Sequence, residues 1–217
     1  MIVMKAVQFS ARRVGRPLSF NKEEVLEKAM LQFWRTGYET TSVSDLTKAM
    51  GITAPSLYAA FGDKENLFLA CLRRYVYPEP KSAPERISEA ASAREAAYEL
   101  LVVSARWFTQ RGSPAGCLVA SAASTGSVDS RRVRAALRKV RLDIQTALQE
   151  RAERDVRAGI LPPTADPLAL AAMTVAMVQG MSTLARDGAS RADLLNSINA
   201  LMAAWPTAET QECVDHR

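Results

Sequence analysis

The 217-residue sequence has almost no histidine: the single one, His216, stands next to its end. That excludes a histidine-based catalytic triad and a multi-histidine zinc site. Cysteine is scarce as well. Cys71, Cys117 and Cys213 lie far apart and are odd in number, which fits neither a metal knuckle nor a disulfide framework. Glycine-rich phosphate loops, HExxH and GxSxG are absent, so no enzyme, metal or cofactor is expected. No apolar run reads as the roughly 20 residues of a membrane span. Residues Met1 to Ser10 lack the apolar core and cleavage site of a secretory signal. The expectation is a cytoplasmic protein without a membrane partner.

Aromatic residues make up only 6% of the chain, whereas 48% is hydrophobic and dominated by alanine and leucine. That balance favours packed helices, and the valines and isoleucines do not alternate with polar residues as in strands. Net charge is +5 and uneven: residues 1–75 hold 11 Lys and Arg against 7 Asp and Glu. Positive charge gathered at one end suits a phosphate backbone, although solubility alone would also explain it.

Residues 1–19 read as a flexible basic arm bearing Arg12, Arg13 and Arg16. Asn21 then caps a first helix, with Val25, Leu26, Ala29, Met30 and Phe33 at helical spacing and Gly37 as its stop. Ser42 and Asp45 form a capping box for a short helix that Gly51 ends. Thr53 caps a third helix with Pro55 in its first turn, and Asp63 caps a fourth. Pro78, Pro80 and Pro84 mark a domain junction. Beyond it, long helices are predicted at about 93–110, from near Ala115, at 129–157, at 167–187 and at 191–204. The division is an N-terminal helical domain over 20–77, a second helical domain over 78–205 and a frayed tail over 206–217.

The segment SVSDLTKAMGITAPSLYAAF, Ser42 to Phe61, is a short helix, a tight turn and a second short helix. In such a unit the first helix braces on the DNA backbone and the second lies in the major groove. Leu57 and Phe61 point inward. Thr53, Ala54, Pro55, Ser56, Tyr58 and Ala59 are left on or beside the outer face, where small side chains permit close approach to base edges. Thr41 and Ser42, at the start of the bracing helix, are placed to bond phosphate through a hydroxyl or a backbone N–H. The arm arginines either reach the minor groove or backbone or are simply solvated.

With Phe33, Gly37, Tyr38, Thr41, Ser42, Asp45, Ala49, Gly51, Leu57, Tyr58, Phe61, Lys64, Leu67 and Phe68 in place, residues 20–77 resemble the DNA-binding domain of TetR/AcrR bacterial regulators. The resemblance implies an all-α fold with a three-helix helix-turn-helix domain and a C-terminal ligand-binding and dimerisation domain. It further implies phosphate contacts from Tyr58 and Lys64, a double-stranded operator, a small-molecule effector, and a homodimer through the helices at 167–187 and 191–204. Candidate pocket residues are Trp107, Phe108, Met173, Met177, Gln179 and Met181; such stripes are also ordinary core. Cys117, in PAGCLV at what reads as a helix start, is a candidate reactive thiol, because a helix N-terminus lowers thiol pKa. A similar Gly-Cys-Leu element occurs in a subset of the family, some of whose members respond to oxidants or electrophiles through cysteine. The alternative is a small buried apolar residue. The expected function is a repressor released by an inducer or by cysteine modification, with activation left open; an enzyme and a helical adaptor are the competing classes.

Overall fold

A computed structural model describes residues 20–77, 81–124 and 130–208. The predicted arm, with Arg12, Arg13 and Arg16, lies outside the described residues, as does Cys213. Ten α-helices and no strand are present among the described residues. They are α1 (Lys22–Thr36), α2 (Val43–Met50), α3 (Ala54–Phe61), α4 (Lys64–Val76), α5 (Ala83–Glu89), α6 (Ala93–Phe108), α7 (Leu118–Ser124), α8 (Arg131–Arg157), α9 (Pro167–Arg186) and α10 (Arg191–Ala203).

Local chemistry sets the boundaries. Asn21 Oδ1 accepts from the backbone N–H groups of Glu23 and Glu24, so α1 starts there. Ser42 and Asp45 bond reciprocally to begin α2, and Gly51 ends it with φ of 71°, a left-handed turn that costs glycine little. Thr53 caps α3, Asp63 caps α4 and Asp166 caps α9. The helix α5 is not foreseen in the sequence. Pro84 sits within its first turn, where a missing N–H is harmless, so that proline belongs to a helix and not to a linker. The helix predicted from near Ala115 begins only at Leu118, because Gly112 and Gly116 hold the preceding loop in positive φ.

Phe33 and Phe68 anchor the N-terminal unit, with ring centroids 5.1 Å apart and edge-to-face. α1 packs on α2, α4 and α7, while α4 also meets α8. Behind them α8, α9, α6 and α10 pack as a layered bundle. A buried ion pair holds the far end of α8: Arg151 lies 2.6 Å from Asp155, whose second oxygen accepts the Ala93 N–H that opens α6.

One helix, α9, does have the length and hydropathy of a membrane span, with mean hydropathy 1.6 over an 18-residue window. Thr174, Gln179 and Ser182 interrupt its apolar residues, so the sequence shows no continuous apolar run there. In the fold its inner face packs on α8 and α6. Its outer face exposes Leu168, Met173, Ala176, Gly180 and Leu184.

Candidate DNA-binding interface and sensing cavity

The α2–turn–α3 unit forms as its sequence dictates. Leu46 and Leu57 are fully buried and pin both helices to α1 and α4. Opposite Leu57, α3 shows Thr53, Pro55, Tyr58 and Ala59 to solvent, with Ala54 and Ser56 half-exposed beside them. Tyr58 is 49% exposed, an unusual position for a large aromatic. Thr53 Oγ1 lies 2.9 Å from Ser56 Oγ, so these two hydroxyls form one small polar surface at the helix start. Phe61 is only partly buried, and the Lys22 ammonium sits 5.3 Å from its ring centroid.

The bracing end needs a correction. Thr41 is completely buried; its hydroxyl donates to the Gly37 carbonyl and lies 2.6 Å from Thr36 Oγ1. That hydroxyl closes the α1–α2 loop and is not free for a phosphate. Ser42 is exposed, but its hydroxyl and N–H both engage Asp45. Lys64 is half-buried, its ammonium 4.5 Å from the Tyr38 ring centroid and 3.4 Å from the Glu39 carbonyl. Burial lowers its pKa, opposed by Glu39. Lys64 therefore carries its charge at the junction of α4 with the α1–α2 loop, beside α3.

A cavity of about 510 Å³ lies between α1, α4, α5, α6, α8 and α9. That volume suits a small ligand. Of the sequence candidates, Trp107, Phe108, Cys117 and Gln179 line it. Met173, Met177 and Met181 do not: Met181 is sealed in the core, Met173 faces outward on α9, and Met177 packs partly buried against the core. Helical spacing placed them on one helix but could not say which stripe faced the void. A more open basin of about 780 Å³ lies at the end of α6 and the α9–α10 turn, and Phe108 borders both.

Cys117 corrects another expectation. Its thiol is buried, and burial pushes its pKa up despite the bonds from Tyr75 and nearby backbone and the proximity of Arg141. Desolvation outweighs the helix start here, because burial disfavours the thiolate. The Tyr75 hydroxyl donates toward Cys117 Sγ at 3.5 Å, and burial raises that phenol's pKa as well. The Cys117 N–H donates to Ser182 Oγ at 2.8 Å.

Sequence reasoning missed the elements that join cavity and reading head. Trp34 on α1 donates its indole N–H to the Gly116 carbonyl at 3.1 Å and stacks edge-on against Tyr75. Glu65 on α4 pairs with Arg132 on α8 at 2.5 Å and accepts from Ser130. Both contacts span long sequence separations, and periodicity carries no signal for them. Arg141 was missed although a signal existed. It stands beside the inward stripe of α8 formed by Leu137, Val140, Ile144 and Leu148.

Residues 25–71 match the family described as bacterial regulatory proteins, tetR family, and residues 96–204 match the tetracyclin repressor-like C-terminal domain. The HTH-type transcriptional repressor ComR of Escherichia coli is 37% identical over 199 residues, covering 88% of this chain and 92% of ComR. The chain belongs to the TetR family. As a TetR-family protein it is a DNA-binding transcriptional regulator. A second Escherichia coli relative, the HTH-type transcriptional repressor BdcR, is 37% identical over 50% of this chain and 55% of BdcR. Among solved structures, a cysteine-substituted CifR, a TetR family regulator complexed with 26-base-pair operator DNA, superposes with a TM-score of 0.80. It is 38% identical, covering 88% of this chain and all of that one. The segment matched to the tetR family, residues 25–71, contains the α2–turn–α3 unit.

Proposed function

We propose that this TetR-family regulator is a cytoplasmic homodimeric repressor. Its α3 helices read a palindromic operator, and a small molecule entering the 510 Å³ cavity releases them. The observation that carries the reading is the outer face of α3. Thr53, Pro55, Tyr58 and Ala59 stand free of the fold while Leu57 anchors the helix from behind. That face fits a major groove, with Ala54, Ser56 and Ala59 at base edges and Tyr58, Lys64 and the Ser42 region at phosphates. Repression is supported by the names of ComR and BdcR.

Dimerisation is supported by the unpartnered faces of α9 and α10. Ala172, Ala176, Gly180, Ala200 and Ala203 are exposed on them, and small residues allow two copies to approach closely. Release follows from the cavity's position. It is bounded by Trp34 on α1 and Tyr75 on α4, and α4 begins directly after the reading helix. A ligand that prefers a different α4 placement changes the spacing of the two α3 helices, which must match about 34–36 Å on the duplex. The burial of the Cys117 thiol favours ligand occupancy over direct thiol oxidation as the trigger.

The test is a gel shift of the protein with the DNA upstream of its own gene. Saturable binding that falls steeply with salt, and is lost on scrambling the palindrome, is expected. Lys64→Ala is expected to weaken binding to all sequences together and to lower the log–log salt slope by about one. Equal affinity for palindrome and scramble would overturn the reading.

A further inference from the structure

The sensing cavity carries more positive charge than its own walls neutralise. Arg74, Arg86 and Arg141 line it against one carboxylate, Glu27. Arg74 is committed to carboxylates, 2.6 Å from Glu23 and 2.9 Å from Glu27. Arg86 donates to the Lys81 carbonyl. Arg141 pairs with no carboxylate among the described residues, although it is half-buried beside the inward stripe of a core helix. A guanidinium partly removed from water without a counter-charge is costly, and a bound anion offsets that cost. The surrounding wall is apolar and aromatic, with Trp34 and Trp107 both lining the void. Trp107 is 46% exposed, so the void opens to solvent on its side.

We infer that the effector of this cavity is an aromatic carboxylate, held with its carboxylate on Arg141 and its ring against the tryptophan-bearing walls. The inference rests on the reading of the cavity as the effector site. Arginine suits the role because its planar fork pairs with a carboxylate through two parallel N–H···O bonds. Ring faces on the wall supply apolar contact that a short aliphatic acid would not fill.

The test is calorimetric titration of the free full-length protein with 2-naphthoate and with its neutral isostere 2-naphthamide. The acid is expected to bind saturably, and the amide about tenfold more weakly or worse. Arg141→Gln is expected to abolish that preference. Arg111→Gln, at an exposed arginine outside this cavity, is expected to leave it intact. Should Arg141→Gln fail to fold, Arg141→Lys decides. A point charge without the fork weakens the acid while leaving the amide unchanged. Equal binding of acid and amide, a preference that survives at position 141, or no saturable binding of the acid would each overturn the inference. Because DNA is absent from the measurement, such a failure leaves the gel-shift result for operator binding standing on its own.

Discussion

Gly116 shows how much one residue can carry. Its φ is 79°, and a β-carbon there would stand 2.8 Å from both the Ser182 carbonyl and the Arg186 side chain. It also accepts the Trp34 indole N–H. Gly116→Ala is therefore expected to destabilise the protein by roughly 2 kcal/mol, combining positive-φ strain with a backbone clash. A thermal melt within 1 °C of wild type, on the order of the measurement error, would contradict it. Cys117, its neighbour, gives a second prediction. Burial lifts both the Cys117 and Cys71 thiols. At neutral pH both are expected to react with iodoacetamide only as fast as the protein opens. Mass-spectrometric mapping reads the two rates; rapid labelling of Cys117 alone would show that the cavity delivers reagents to it and would restore thiol modification as a trigger. The sequence flagged Cys117 through its place before a helix, but its partners Tyr75 and Ser182 come from distant parts of the chain.

At the scale of elements, the helix starts were the most legible features, because a cap and its N–H partners lie within four residues. Three serine capping boxes are formed in the structure: Ser42 with Asp45, which the sequence shows plainly, and Ser82 with Glu85 and Ser190 with Asp193, which are recognised only in the fold. The serine hydroxyl and backbone N–H hold each carboxyl below its ordinary pKa. A carboxyl depressed in the folded state contributes stability that is present above its unfolded pKa and lost as pH falls through the folded value. The loss is thus expected below about pH 4. In urea titrations, a variant carrying Asp45→Asn, Glu85→Gln and Asp193→Asn should have a lower midpoint at pH 7 and lose less between pH 7 and pH 3. Parallel losses in the two proteins would rule the boxes out as the source. The helix α5 gives no such signal for a contrary reason: seven residues with Pro84 in the first turn, preceded by Pro78 and Pro80, read as linker until α8 packs against them.

For the whole molecule, the connections between the reading head and the cavity matter most. Trp34→Phe keeps an aromatic ring near Tyr75 but deletes the bond to Gly116. Stability is expected to fall by about 1 kcal/mol. Operator affinity without effector should persist, while the effector's power to release DNA is reduced. Operator titrations with and without effector measure that coupling directly, and an unchanged ratio would place the signal elsewhere, for instance through Glu65 and Arg132. Ala176→Arg, on the exposed face of α9, puts a long charged side chain where two copies are proposed to meet. Sedimentation should then show a monomer with a near-normal melt and greatly weakened operator binding, whereas a persistent dimer would move the interface off α9.

From the sequence alone came the caps of α1 to α4, the helix-turn-helix, its inward leucines and its outward small residues, since each depends on neighbours within one or two turns. Which hydroxyls remained free, which methionines were sealed away, and which arginine faced the void were decided only when distant helices came together. Burial, and the pairing of polar groups across the fold, are properties of contacts between segments remote along the chain, and no local spacing encodes them.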